Sequence, residues 1–346
     1  MKKILIWMLA ISTILFLIGG LLVNQWMDTG HGRLNYKIAI VLKFMTLSDN
    51  RATEKKGNPS IAESRNALAE KAKKYAGDPV PIEKILDLTI PGPAGEIPIR
   101  IYIPSKDKSL PVVLFYHGGG WVQGSLTSHD NLTRYLAKAS SAVVVSVDYR
   151  LAPENPFPAG LDDAYAALEW VAQNADSFGA DPSKIAVMGD SAGGNLAAVV
   201  ALMARNQNGP KIKRQVLVYP ATDQSNLDTD SYTHFAKGFM LTKTNIEWFR
   251  GLYLPDKKDW TNPKASPLLA EDHTHLPPAT IITAEMDPLR DDGKQYAEKL
   301  AKSGVLTHYH CYEGMIHGFV NADNLLSQAH AALDEIAMDL KTSFKN

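Results

Sequence analysis

From residue 112 onward, short apolar runs alternate with stretches of helical period, and no other feature limits the fold of this chain so tightly. The runs at 112–116, 142–147, 185–188, 216–219 and 280–284 are apolar at consecutive positions, as strands buried on both faces must be, and 306–312 follows as a last strand. Helical stretches such as 161–174 and 195–206 lie between them. Strands joined through helices pair in parallel, with the helices packed on the sheet faces. Ahead of this region, 85–90 and 97–103 alternate apolar and polar residues around Pro91-Gly92-Pro93-Ala94-Gly95, which predicts an antiparallel pair. Ser60 and Glu63 form the signature of a capping box, opening a helix expected to run to Gly77-Asp78-Pro79. Between Tyr219 and Thr280 the strand rhythm stops. That interval reads as an inserted lid with one helical piece near 245–253. The expected architecture is therefore one α/β domain over 31–346, with 31–80 and about 221–265 contributing a cap.

Composition removes other classes. Of 346 residues 45% are apolar and 21% charged, which is globular and not disordered or fibrous. The 36 basic and 37 acidic side chains nearly cancel and no basic run occurs, so nucleic acid is excluded as an expected partner. Cys311 is the only cysteine and cannot form an internal disulfide. Nothing in the sequence specifies an oligomeric state.

Residues 4–23 carry no charge and follow Lys2 and Lys3, a length that as a helix spans roughly 30 Å of hydrocarbon. The run ends Gly19-Gly20-Leu21-Leu22-Val23-Asn24-Gln25-Trp26, a poor cleavage site, so residues 1–30 are expected to hold a retained single-pass anchor, with a cleaved secretory signal as the alternative. The lysines favour a cytoplasmic N-terminus and a catalytic domain outside the cytoplasm. Residues 34–47 are also rich in apolar side chains. They suit contact with lipid, a cover over the active site, or ordinary packing on the core.

The chemistry is concentrated in Gly189-Asp190-Ser191-Ala192-Gly193-Gly194, which leaves a predicted strand and opens a predicted helix. This is the context of a G-x-S-x-G elbow, in which a serine nucleophile sits on a strained turn. A serine hydroxyl needs a base, and the base an orienting carboxylate, in the chain order Ser, acid, His. His317 lies in the Gly-flanked loop Gly314-Met315-Ile316-His317-Gly318-Phe319 after the last strand. Asp287 ends the preceding strand, although Asp-Pro also opens helices and Asp291 and Asp292 stand close by. Acyl transfer also needs backbone N–H groups at the developing oxyanion. His117-Gly118-Gly119-Gly120-Trp121, following strand 112–116, and the N–H of Ala192 supply them. Gly118 and Gly120 do not continue into a dinucleotide fingerprint, since Gln123 stands at the third glycine position. His308, His310 and Cys311 lie together, but no carboxylate is seen at ligand spacing, so no metal is expected.

Four blocks together, 117–121, 148–154, 189–194 and 287–291 with His317-Gly318-Phe319, resemble the hormone-sensitive lipase family of α/β hydrolases from about residue 60 to the C-terminus. The resemblance implies an eight-stranded, mostly parallel sheet, a cap, and cofactor-free hydrolysis of carboxylic esters with short to medium acyl chains, while the bilayer-length segment equally suits lipid-derived esters. It assigns the oxyanion donors to Gly119 and Gly120, with His117 bracing their loop and residues 149–154 holding the turn beneath. Most bacterial relatives lack a segment like that before residue 30. The expected mechanism is attack by Ser191 with His317 as base and Asp287 fixing its tautomer, and activity should rise with pH as His317 loses its proton. Two alternatives are an amidase or deacetylase using the same groups, and a tethered binding protein on an inactive scaffold. In the latter, the catalytic histidine would be missing.

Overall fold

A computed structural model describes residue 7 and residues 17–49, 60–75 and 77–345. Among these residues, eight strands form one sheet in the order β1-β2-β4-β3-β5-β6-β7-β8. They are β1 (Lys84–Gly92), β2 (Gly95–Ile103), β3 (Leu110–Tyr116), β4 (Val143–Val147), β5 (Ala180–Asp190), β6 (Ile212–Val218), β7 (Ala279–Met286) and β8 (Thr307–Ile316). The β1–β2 and β2–β4 pairs are antiparallel, and every pair from β4 through β8 is parallel. Parallel neighbours need crossovers, and the helices Asp130–Ser140, Ala159–Asn174, Ala192–Asn206 and Arg290–Lys302 provide them.

Alternate residues of each central strand feed opposite faces. Val112, Leu114 and Tyr116 join one buried cluster with Leu168 and Leu196, while Val113 and Phe115 join the other with Leu136 and Leu333. This explains the unbroken apolar runs, because with helices on both faces every side chain meets a core. β5 extends beyond the predicted 185–188, its first residues pairing past a register irregularity opposite Leu110. The predicted capping box forms: Ser60 N–H donates to Glu63 Oε2 at 2.9 Å, and Glu63 N–H to Ser60 Oγ at 3.2 Å. The helix it opens ends at Tyr75.

The 220–278 interval holds no strand among the described residues, only the helices Asp230–His234 and Lys243–Tyr253 and two short 3-10 turns. From the other side of the chain, the Ile61–Tyr75 helix reaches the 117–124 loop. Arg65 Nε donates to Val122 C=O at 2.8 Å while its guanidinium holds Glu154 at 2.7 Å, and Ser64 Oγ bonds Gln123 at 2.7 Å.

Most of the uncharged run 4–23 lies outside the described residues. Residues 17–27 are helical, and no helix among the described residues is long and apolar enough to cross a membrane. The chain then turns back through Leu34 N–H to Met27 C=O at 2.8 Å, and enters the helix Tyr36–Asp49. Leu34, Ile38, Ala39 and Leu42 are buried against Met286, Met315 and Ile316, so one side of this helix packs on the core.

Candidate active site

All three side chains of the expected triad meet at the carboxyl edge of the sheet. β5 runs into Ser191, whose backbone sits at φ 56° and ψ −119°, and the helix Ala192–Asn206 starts at the next residue. Such a backbone is costly for a residue with a side chain, and here close packing holds it. A Cβ on Gly193 would lie 1.9 Å from the Tyr116 carbonyl oxygen, and one on Gly189 would lie 2.2 Å from the Gly193 carbonyl. The two glycines are thus required by close approach of strand and helix, and Ser191 N–H is tied to Val218 C=O at 2.8 Å.

His317 Nε2 lies 2.9 Å from Ser191 Oγ and its Nδ1 lies 2.6 Å from Asp287 Oδ2. With a carboxylate at Nδ1, the proton belongs on that nitrogen, which leaves Nε2 to accept from the serine hydroxyl. Asp287 is fully buried, and its other oxygen accepts the Leu289 N–H at 2.9 Å. The helix-opening alternative for Asp287 is not realised, because the N-cap of the helix Arg290–Lys302 is Leu289 and no side chain caps it; the second Asp287 oxygen instead holds the turn just ahead of that helix. Its neighbours face elsewhere: Asp291 accepts from Ser231 N–H at 2.9 Å, and Asp292 from Thr222 N–H at 3.0 Å. Burial outweighs those amide bonds and pushes the Asp292 carboxyl well above the usual carboxylate range. The ring of Tyr219 packs 4.5 Å from that of His317.

The glycine loop follows β3. His117 is buried, its Nδ1–H donates to Gly118 C=O at 2.9 Å, and its ring stacks on Tyr149 at 4.4 Å. Burial, with a smaller push from His129, lowers its imidazole to about 4. Tyr149 Oη–H donates to the His117 carbonyl at 2.7 Å, so the 148–154 block does support the loop from beneath. Arg150 stays beside it by pairing with buried Asp163 at 2.8 Å. Above the loop, the Phe249 ring covers Gly120 so closely that a Cβ there would come within 2.4 Å, and Trp121 stacks on Tyr253 at 4.5 Å. The first N–H groups of the helix beginning at Ala192 have no intrahelical acceptor and project at the same edge.

Sequence reasoning missed the group linking loop and elbow. Asp190, buried beside the nucleophile, accepts the Gly118 N–H at 2.8 Å, faces His129 Nε2 at 3.2 Å, and accepts from Asn321 Nδ2 at 3.2 Å, so the Gly118 N–H, expected among the oxyanion donors, is committed to this carboxylate. Those charge-assisted bonds win over burial and hold its carboxyl below the usual range, although burial is the largest single influence. A signal was present, since an acid locked between two glycine-packed residues must be buried and must then be paired. Its partners, 61 to 131 residues away, were not legible.

The absence of a carboxylate near His308 and His310 needs correction. The C-terminal helix Ser327–Lys345 brings Asp339 to His308 at 2.7 Å and Glu335 to His310 at 2.8 Å. These are pairwise imidazole–carboxylate contacts, and among the described residues no group of three or more His, Cys, Asp or Glu side chains could hold a metal ion.

Residues 113–321 match a family model described by the alpha/beta hydrolase fold. The chain is 46% identical over 263 residues to the carboxylic ester hydrolase LipN of Mycobacterium tuberculosis, covering 74% of this chain and 70% of that protein. Among solved structures, an esterase of Pyrobaculum calidifontis is 45% identical with a TM-score of 0.79, over 82% of this chain and 94% of that one. An ester hydrolase from the metagenome of Lake Arreo, complexed with a bipyridine phosphonate derivative, is 40% identical with a TM-score of 0.86, over 90% and 100% of the two chains.

Proposed function

The chain belongs to the α/β hydrolase family, and from that premise we propose that it cleaves carboxylic esters through an acyl-enzyme on Ser191. It is a carboxylic-ester hydrolase of the serine type. Ser191 Oγ attacks the ester carbonyl while His317 Nε2 takes its proton. Asp287 holds the opposite ring nitrogen and stabilises the imidazolium that forms. The N–H groups of Gly119, Gly120 and Ala192 receive the negative charge on the carbonyl oxygen, and Gly118 and His117 keep the loop in place. His317 then returns the proton to the departing alcohol. A water, deprotonated by the same nitrogen, cleaves the acyl-enzyme and frees Ser191.

The observation that carries this reading is the unbroken chain of contacts from Asp287 through His317 to Ser191, at 2.6 and 2.9 Å. The same reading places a cap, built from 31–80 and about 221–265, over the site, with short- to medium-chain acyl esters as substrates. It also gives residues 4–23 the role of a membrane anchor, supported by their uncharged length, with the catalytic domain outside the cytoplasm.

Ser191→Ala should lose at least about 10⁴-fold in kcat/KM on p-nitrophenyl butyrate with the fold intact. A fluorophosphonate should label the wild type and not the variant. Wild-type turnover by the variant would remove Ser191 as nucleophile. Matched ester and amide substrates separate an esterase from an amidase, and a series of esters from acetate to palmitate locates the acyl preference.

A further inference from the structure

The helix Tyr36–Asp49 is apolar on two sides, and among the described residues only one of them packs on the core. Leu34, Ile38, Ala39 and Leu42 face the core. Tyr36, Ile40, Phe44 and Leu47 recur at helical spacing on the opposite face, with Phe44 64%, Tyr36 51% and Leu47 50% exposed. A helix that is apolar all round belongs in a core or against lipid, because in water its second face loses the free energy of burial.

The preceding segment supports lipid as the missing partner. Residues 17–27 form a helix whose Leu17, Ile18, Leu21 and Leu22 are exposed, and it ends the uncharged run 4–23. A firm turn joins the two helices. Asp28 and Arg33 pair across it as a β-bridge, Thr29 N–H bonds Gly32 C=O at 3.2 Å, and the Lys43 ammonium lies 5.7 Å over the Trp26 ring. The turn is also fastened to the catalytic domain, since Asn35 N–H donates to Gly314 C=O at 3.0 Å, three residues before His317. A chain held in a bilayer by its first residues thus carries its second apolar helix a short, ordered distance from the first. Exposed Lys43, over the Trp26 ring, and exposed Arg33, bonded to Asn24, suit the headgroup layer.

We propose that the face formed by Tyr36, Ile40, Phe44 and Leu47 lies on the bilayer surface as a second membrane contact, holding the carboxyl edge of the sheet, and with it the active site, at the lipid interface. The proposal rests on the anchor reading of residues 4–23 and adds a contact that this reading does not require.

The test uses the full chain with Cys311→Ser and Phe44→Cys, carrying an environment-sensitive fluorophore at position 44, in vesicles of phosphatidylcholine and phosphatidylglycerol. A label at Met338→Cys, on the exposed side of the C-terminal helix, is the control. The expected result is a blue shift at position 44 and quenching by brominated lipid, with neither at position 338. Carbonate extraction reports the anchor separately. Protein that resists extraction but shows no lipid quenching at position 44 overturns the second contact alone, whereas protein that washes off overturns the anchor and the contact together. Shielding of the label from aqueous iodide before vesicles are added means that the chain itself, or a second copy, covers the face, and this also overturns the proposal. In Phe44→Glu/Leu47→Glu, on the helix face turned away from the core, turnover of dissolved p-nitrophenyl acetate is the reference against which turnover at the lipid surface is read. Turnover of an ester embedded in vesicles should fall about tenfold relative to the dissolved ester, the effect expected for losing two side chains that lipid contact would each bury by about a further half. Equal effects on both substrates overturn the proposal that this face holds the active site at the lipid interface.

Discussion

His129 Nε2 stands 3.2 Å from Oδ1 of Asp190, and the same carboxylate accepts the N–H of Gly118, so one buried anion joins the nucleophile elbow to the glycine loop. Both side chains are about 5% exposed, which makes their pairing expensive to break from one side.

Asp190→Ala should therefore leave a buried imidazole and a backbone N–H without their acceptor and loosen the loop. Neither residue touches the reacting atoms in the proposed mechanism, so both act as positioning residues. kcat should fall about tenfold or more, a fraction of the loss seen when an oxyanion donor is removed outright, with KM changed less. Asp190→Asn keeps an acceptor for Gly118 and should recover part of the loss. An equal fall in kcat for Asn and Ala, or a change confined to KM, would contradict this role.

Gly120 sits at φ 61° with the Phe249 ring where a side chain would go. Gly120→Ala should lower kcat/KM by about 10²-fold by displacing a proposed oxyanion donor. The second change Phe249→Ala should restore part of the rate by opening the space above the loop. Failure of the double variant to recover would place the damage in the backbone conformation and not in the contact.

The buried imidazole of His117 predicts an acid-sensitive fold. Its value drops from 6.5 unfolded to about 4 folded. Between those values the unfolded chain binds a proton that the folded chain refuses, so stability falls as pH drops from about 6.5 toward 4. The ceiling on this one group is about 3 kcal/mol. Denaturant unfolding at a series of pH values checks it, and His117→Asn should flatten the curve in that window.

Asp292 has the opposite sign. Burial raises its carboxyl well above the ordinary value of 3.8, so the folded chain keeps the proton to higher pH than the unfolded chain does. Its contribution is present in acid and is lost as pH rises toward the folded value. Asp292→Asn retains an acceptor for the Thr222 and Asp223 N–H groups and cannot ionise. It should gain stability relative to wild type as pH rises, measured by the same unfolding series. A parallel pH dependence in the two proteins would contradict the assignment.

Local grammar determined much of this protein. Runs of consecutive apolar residues specify strands with helices on both faces, Ser60 and Glu63 specify a helix start, and the glycines at 189 and 193 specify a tight elbow, because each is a constraint between near neighbours in the chain. Ser191, Asp287 and His317 were legible for the same reason, each standing directly after a strand whose end the topology carries to a single edge. Only the tertiary structure decided which acid of 287, 291 and 292 faces the imidazole, and that Glu335 and Asp339 come to His308 and His310. It alone decided that Asp190 draws Gly118, His129 and Asn321 together. Those contacts depend on the rotation of a helix start or on groups more than twenty residues apart, and side-chain reach of a few ångströms selects among candidates that pattern and period leave equivalent.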